Sequence, residues 1–546
     1  KLQTLVLIIG IIGMISSAAV AAQDTGTVQG SVALGADGSA VHGAIILIVG
    51  PGLVVTTDEV GAFIFEDVLV GTYEILAQRE HLTANRETVT IESGRTSIVN
   101  FTLELSPVHE EITVTATTGG QTTSFEAFNA TTTLDSFDAV TNPVGTLAEA
   151  LENQPGIARR SFGAGSGRPI IRGFDGDRVL IMEDGIRTGD LSSQSGDHGV
   201  NTDPNGLDRI EVVRGPATLL YGSNAVGGVI NAITPHESFK DRLIAGTRGQ
   251  VSIDSGSANA QAGTFANVQH AKDRLMVWTG GGTRRTGDYV TPAGTVENSG
   301  TTLTTGRVGI GYSGDQTFAS SGITVEDGRH SVPFADKFHF HNEVDSHEEK
   351  LVVDIDSVRR VGRFDVGMRN LNSRAIGSFQ VVANVIDWQH DEIEVDSGIE
   401  NTASVMDNRT YVVRADINQR QLGPVSGRFG VWTQIRNYSA TGEEALAPAT
   451  KQASIAAFAY EEIDLEQYQL QLGGRLERNG YTVGERTSSN HDVLEEHAHE
   501  LVPPTVRNRN FIGGSASIGL RADLSPGNAV VANLTRSHRA PSLEEL

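Results

Sequence analysis

Cysteine is absent from the 546-residue chain. Neither a disulfide framework nor a thiolate metal site can form, so any metal must be held by His, Asp or Glu. Basic residues are also scarce: 42 Lys and Arg stand against 67 Asp and Glu, a formal net charge of −25. That balance argues against a nucleic-acid surface, which needs clustered cations, and leaves room for a cationic ligand on an otherwise solvated acidic exterior. Long apolar runs are missing too. The one at residues 5–15 falls short of the roughly 20 residues that carry a helix across a bilayer. Membrane residence would have to come from strands. No phosphate-binding loop and no Ser/His/Asp or paired-carboxylate arrangement stands out, so no enzyme chemistry is expected.

What is present begins with export. Lys1, the apolar run and the small residues Ala18, Ala19, Ala21 and Ala22 form the pattern of a secretory signal. From Thr27 to about Leu105, short β-rich segments separated by Gly and Asp turns predict a small β-sandwich. After Pro107 comes Glu110, Glu111, Ile112, Thr113, Val114, Thr115 and Ala116, then a Thr-rich stretch. Such a strand flanked by polar sequence suits pairing with another protein's sheet edge.

Residues 134–234 carry a run of motifs in order. These are TLAEALENQPGI from Thr146, RPIIRGF from Arg168, RVLIMEDGI from Arg178, DRIEVVRGP from Asp208 and YGSNAVGGVIN from Tyr221. The first reads as a short helix stopped by Pro-Gly, the others as strands joined by glycine turns, together a compact α+β domain. Beyond residue 239 apolar and polar residues alternate over long strands. Tyr411, Val413, Ala415 and Ile417 interleave with Val412, Arg414, Asp416 and Asn418, the period expected of strands between lipid and a polar lumen.

The ordered motifs of residues 134–234 closely resemble the plug domain of TonB-dependent outer-membrane receptors, and the N-terminal segment resembles the carboxypeptidase regulatory-like domain. The resemblance implies a mostly β protein with five parts. They are a signal peptide (1–22), a β-sandwich (23–106), a TonB box and linker (107–133), an α+β plug (134–236) and a transmembrane antiparallel β-barrel (237–546). About a dozen barrel strands are expected where such transporters use about 22, so the barrel is expected to be incomplete in this chain. The resemblance also makes residues 110–116 the TonB box and assigns Arg172 and Arg214 as plug-to-barrel contacts. Its implied partners are TonB with its inner-membrane energising complex, outer-membrane lipid and a cargo, with no nucleic acid and no prosthetic group.

Histidine points to the cargo. His330, His339, His341 and His347 share a polar stretch with Asp336, Glu343 and Asp345, and His491, His497 and His499 share another. Imidazole with carboxylate suits zinc and similar divalent ions. About six strands lie between the two stretches, an even number that puts both on the extracellular side. Residues 187–199, ending in Asp197-His198-Gly199, and residues 387–394 are similar to the zinc-receptor (ZnuD-type) branch. That likeness implies Asp197 and His198 as plug-side metal ligands, completed from the barrel by His390 and Glu392, with His339, His341 and His347 as auxiliary loop ligands. Zinc or a zinc complex is the expected cargo. The alternatives are an iron-siderophore or haem receptor, or a non-transporting surface signalling receptor.

Overall fold

A computed structural model describes residues 24–35, 38–49, 53–79, 82, 85–103, 112–113, 122–123, 130–135, 145–192, 195–200, 202–234, 245–335, 352–396, 399–442, 448–465, 467–484, 507–525 and 528–546. Two compact units, residues 1–110 and 111–546, divide the chain. The signal segment lies outside the described residues, as do His339, His341, His347 and most of the 110–116 segment. Of that segment only Ile112–Thr113 is described, paired antiparallel with Thr122–Thr123.

The first unit is the expected sandwich. Thr25–Leu34 pairs with Ala62–Leu69, Thr96–Ile98 and Phe101–Leu103 in one sheet, and Leu53–Thr56, Ile45–Val49, Gly71–Gln78 and Asn85–Ile91 form the other. Alternate residues point inward, and Val28, Val32, Ile46, Ile48, Phe63, Phe65, Ile75, Ile91 and Phe101 fill the core between them.

In the second unit the 134–234 motifs fold into a five-stranded mixed sheet. Its order is Ala130–Asp135, Arg209–Arg214, Gly228–Ile233, Val179–Glu183, Ile186–Arg187. Helix α1 (Leu147–Leu151) starts where Thr146 accepts from the Glu149 amide at 3.2 Å while the Glu149 carboxylate takes the Gly145 amide at 2.8 Å. Leu147, Leu151, Ile181, Ile210, Val212 and Ile230 form the plug core. A second short helix, α2 (Thr218–Tyr221), presents its end toward the wall of the barrel.

Among the described residues thirteen antiparallel strands, each bonded to its neighbour in sequence order, make that wall: β1 (Gly246–Gly256), β2 (Gln261–Lys272), β3 (Leu275–Thr286), β4 (Thr301–Ser313), β5 (Thr317–Val332), β6 (Val352–Met368), β7 (Ile376–Asp396), β8 (Ile399–Gln419), β9 (Val425–Gly442), β10 (Thr450–Leu465), β11 (Tyr468–Val483), β12 (Arg509–Ser525) and β13 (Asn528–Arg536). Their two faces divide as the alternation predicts. Ile323, Tyr411, Val413, Leu476 and Ile518 are exposed on the outer face, the apolar surface expected of a lipid-facing wall, while Arg414, Asp416, Arg475, Glu477 and Arg521 are buried on the inner face. No helix among the described residues is long and apolar enough to cross a membrane. The C-terminal ends of β5 and β11 and the N-terminal ends of β6 and β12, which flank residues 333–351 and 484–508 with six strands between, all lie at one end of the sheet. The connections at the opposite end, such as those between β2 and β3 or β10 and β11, are two residues long. Short turns mark the periplasmic end and long connections the extracellular one.

The inner face departs from a simple polar lining in one respect. Val382 and Val412 are inward and buried, packing on Ile186 of the plug. The plug replaces water at these positions, so an apolar residue in the lumen parity costs nothing there.

Candidate functional site

The plug is fastened to the wall mainly by barrel side chains gripping plug backbone. Arg414 donates to the Leu220 carbonyl (3.0 Å), Arg307 to Gly206 (3.1 Å), Arg363 to Asp184 (2.9 Å) and Asn408 to Gly189 (2.8 Å). Charged side-chain pairs add Arg284 with Asp203 (3.2 Å) and Arg359 with Glu183 (2.9 Å). Arg172 and Arg214 sit side by side over Gly156 within the plug, Arg172 exposed and Arg214 buried.

Above these bonds the plug turns through residues 187–199. Asp190 is half-buried and accepts from the Thr188 hydroxyl (2.9 Å) and from Ser192, whose carbonyl takes a bond from Arg168. Burial pushes its acidity down, but Arg168, the Ser192 hydroxyl and Arg187 outweigh that and hold the carboxyl below the usual carboxylate range. Leu191 packs against Trp388, Tyr438 and Tyr481 of the wall and brings His198 with it, through a 3.4 Å contact between the Leu191 carbonyl and His198 Nδ1.

His198 is 1 % exposed, and its ring lies on that of His390, with centroids 4.2 Å apart and planes tilted by 35°. Its neighbour Asp197 has Oδ1 at 3.9 Å from His198 Nε2, beyond hydrogen-bond reach. The Asp197 carbonyl meets His330 Nε2 at 2.9 Å. Burial, with Arg168 adding to it, pulls the His198 ring below the ordinary histidine value against the opposing influence of Asp197 and the Leu191 carbonyl. Both ring nitrogens of His390 and Oδ1 of Asp197 are buried without a hydrogen-bond partner. Buried polar atoms in that state carry a desolvation cost of about 1–3 kcal/mol each, which a bound ligand would offset.

Two glycines permit this packing. A Cβ on Gly199 would lie 2.2 Å from the Gly165 carbonyl, and one on Gly165 would lie 2.3 Å from His330 Cβ. The loops carrying Asp197-His198 and Gly165 therefore stack directly on one another and on β5. The register of the wall sets the rest. His330, Ile355, Glu392 and Ser404 form one inward rung across β5 to β8, and Gly328, Ser357, His390 and Met406 form the rung below. With strands about 4.8 Å apart, His330 and Glu392 have backbones roughly 10 Å apart. Glu392 is buried and accepts from Ser404 at 3.1 Å.

Of the residues singled out from sequence, Asp197, His198 and His390 thus meet, and Glu392 stands one rung above. His330, expected in a loop with the other histidines, is instead on β5. The strand runs on through Val332 because Ser331 and Val332 pair with Asp354 and Val353. Its inward parity with Glu326 and Gly328 is the signal that places it in the lumen. Among the described residues no three His, Asp or Glu side chains converge closely enough to hold an ion as they stand.

A mixed plug sheet gripped by guanidinium groups on the inner face of an antiparallel wall, whose outer face is apolar, defines a plugged membrane β-barrel. Comparison with known proteins agrees. Residues 247–546 match the TonB dependent receptor-like β-barrel, 124–229 the TonB-dependent receptor plug domain and 27–104 the carboxypeptidase regulatory-like domain. The barrel match alone takes in more than half of the chain, and the protein belongs to the TonB-dependent receptors, residents of the Gram-negative outer membrane.

The chain is 38 % identical over 122 residues to a hemin receptor of Yersinia pestis, a stretch covering 21 % of this chain and 17 % of that protein. It is 32 % identical over 147 residues to a vitamin B12 transporter of Vibrio vulnificus, covering 26 % and 23 %. Each match spans less than a quarter of the relative's length. In fold it is similar to the copper transporter OprC, with TM-score 0.61 at 19 % identity over 76 % of this chain and 64 % of that one. The FrpB iron transporter of Neisseria meningitidis gives 0.59 at 13 % identity over 75 % and 65 %. The named relatives are receptors and transporters rather than enzymes.

Proposed function

We propose that the chain is the receptor of a TonB-energised importer whose cargo is zinc or a zinc complex, seated where plug meets barrel. The observation that carries this reading is the buried His198–His390 stack, with Asp197 Oδ1 and both His390 nitrogens lacking partners. Neutral imidazole and carboxylate are the donor set of zinc. The four side chains come from three elements, Asp197 and His198 from one plug loop, His330 from β5 and His390 from β7. A small movement of the plug loop would bring them onto one ion. Glu392 stands above as a further carboxylate, and His339, His341 and His347 are auxiliary donors for capture.

TonB, drawing on its inner-membrane complex, pairs with residues 110–116 and displaces the plug. Val114→Pro removes a backbone donor from that pairing. The variant is expected to bind zinc like the parent yet take up none. Unchanged zinc uptake would reject the assignment of the box. A haem cargo is the second reading, favoured by the identity with the hemin receptor and by the ability of imidazole to ligate haem iron. It predicts a haem absorption change that depends on His198 and His390 and no zinc uptake.

A further inference from the structure

Directly beneath the histidines, Glu326 of β5, Arg359 of β6, Trp388 of β7 and Asn408 of β8 form one inward rung. Arg359 is 3 % exposed and its guanidinium lies 5.7 Å from the centroid of the Trp388 ring, a position that keeps water away. A single nitrogen, Nη1, donates to two carboxylates: Glu183 of the plug at 2.9 Å and Glu326 of the barrel at 2.8 Å. Arg359 Nε has no partner, and the bonds to the two acids leave from the same nitrogen, so the carboxylates share one donor rather than each taking its own edge of the guanidinium.

We infer that Glu326 sets how firmly the plug is held, by competing with Glu183 for Arg359. Glu183 and the turn after it are the point where the edge of the plug sheet meets β6, since Arg363 also binds the Asp184 carbonyl at 2.9 Å. Were Glu183 the only acid there, the guanidinium could close on it with two bonds, and pulling the plug out would part a fully matched buried ion pair. With Glu326 present the guanidinium stays paired when Glu183 leaves. Displacement therefore strands no buried cation in the wall, and the mutual repulsion of the two carboxylates weakens the plug's share of the bond. The arrangement retains the plug at rest and releases it at a lower cost, whatever the cargo is.

The inference makes a prediction of opposite signs. Glu183→Gln should loosen the plug and Glu326→Gln should tighten it, each changing the rate of plug release by roughly tenfold or more, the scale of one charge-assisted hydrogen bond. The measurement is ion conductance of the receptor in planar bilayers across a urea series, where release of the plug opens the pore. Glu183→Gln should open at lower urea than the parent and Glu326→Gln at higher urea. Glu326→Asp, which keeps the charge but shortens its reach, serves as the second variant and should shift in the same direction as Glu326→Gln. Heat-modifiable migration in gels establishes that each barrel has assembled. Shifts of the same sign at both positions, or no shift at Glu326, would overturn the inference and leave the three residues as a structural triad.

Discussion

Replacing His198 and His390 with alanine, singly and together, tests whether the two rings act on one ion. Zinc holds imidazole nitrogen at about 2.0–2.1 Å in a tetrahedral site, which separates two such nitrogens by roughly 3.4 Å. An imidazole centroid lies about 1.1 Å behind its nitrogen, so two rings on one ion have centroids roughly 5 Å apart; from the present 4.2 Å the rings would separate by about 1 Å and splay to join one ion. Loss of either ring should then dismantle the same site. Each single substitution is expected to weaken zinc binding by roughly 100-fold and the pair by little more, a coupling of about 2–3 kcal/mol. The ring–ring contact alone would give only about 0.5–1.5 kcal/mol. Competition calorimetry of the four proteins reads the coupling directly. Additive losses, with the double variant roughly 10,000-fold weaker than the parent, would show that the rings serve separate ligands or none.

Two further outcomes follow from the same geometry. The pull of burial on His198 to below 6.5 fixes a sign: the undocked loop takes up a proton first, so docking of the 195–199 loop is complete above about pH 6.5 and is lost as pH falls toward the lower value of the buried ring. Hydrogen exchange of that loop should rise on acidification in the parent and rise less in His198→Gln, where His330 still meets the Asp197 carbonyl of the loop; a loop insensitive to pH in the parent would refute the burial argument. Gly165→Ala places a methyl 2.3 Å from His330 Cβ and must displace β5 or the plug loop, so it should weaken zinc binding at least about 10-fold while the barrel still assembles; parent-like affinity would show that the close packing does not position His330.

The division between lipid and lumen was legible because each strand carries it alone: Tyr411 and Val413 face out while Arg414 and Asp416 face in, as the alternation of that one segment requires. The plug was legible from its ordered motifs; Asp197, His198 and His390 were expected as metal ligands from local sequence likeness, and the fold brings them together, their role in holding a metal being a proposal. What stayed hidden depends on register between strands that no single segment encodes. His330 looked like a loop residue until the pairing of Ser331 and Val332 with β6 extended the strand beneath it. Glu183 and Arg359 are 176 positions apart, and nothing near either one names the other. Val412 and Val382 sit in the lumen parity yet are apolar, because the plug rather than water fills the space they face.

The most direct test of the central claim is zinc X-ray absorption on the purified receptor loaded with one equivalent of the metal. Binding at the plug–barrel junction predicts two or more imidazole nitrogens at about 2.0–2.1 Å with an oxygen donor at about 2.0–2.2 Å. That signature should vanish in the Asp197→Ala/His198→Ala variant. A zinc shell of water and carboxylate oxygens alone, or an imidazole shell unchanged in that variant, would contradict the account.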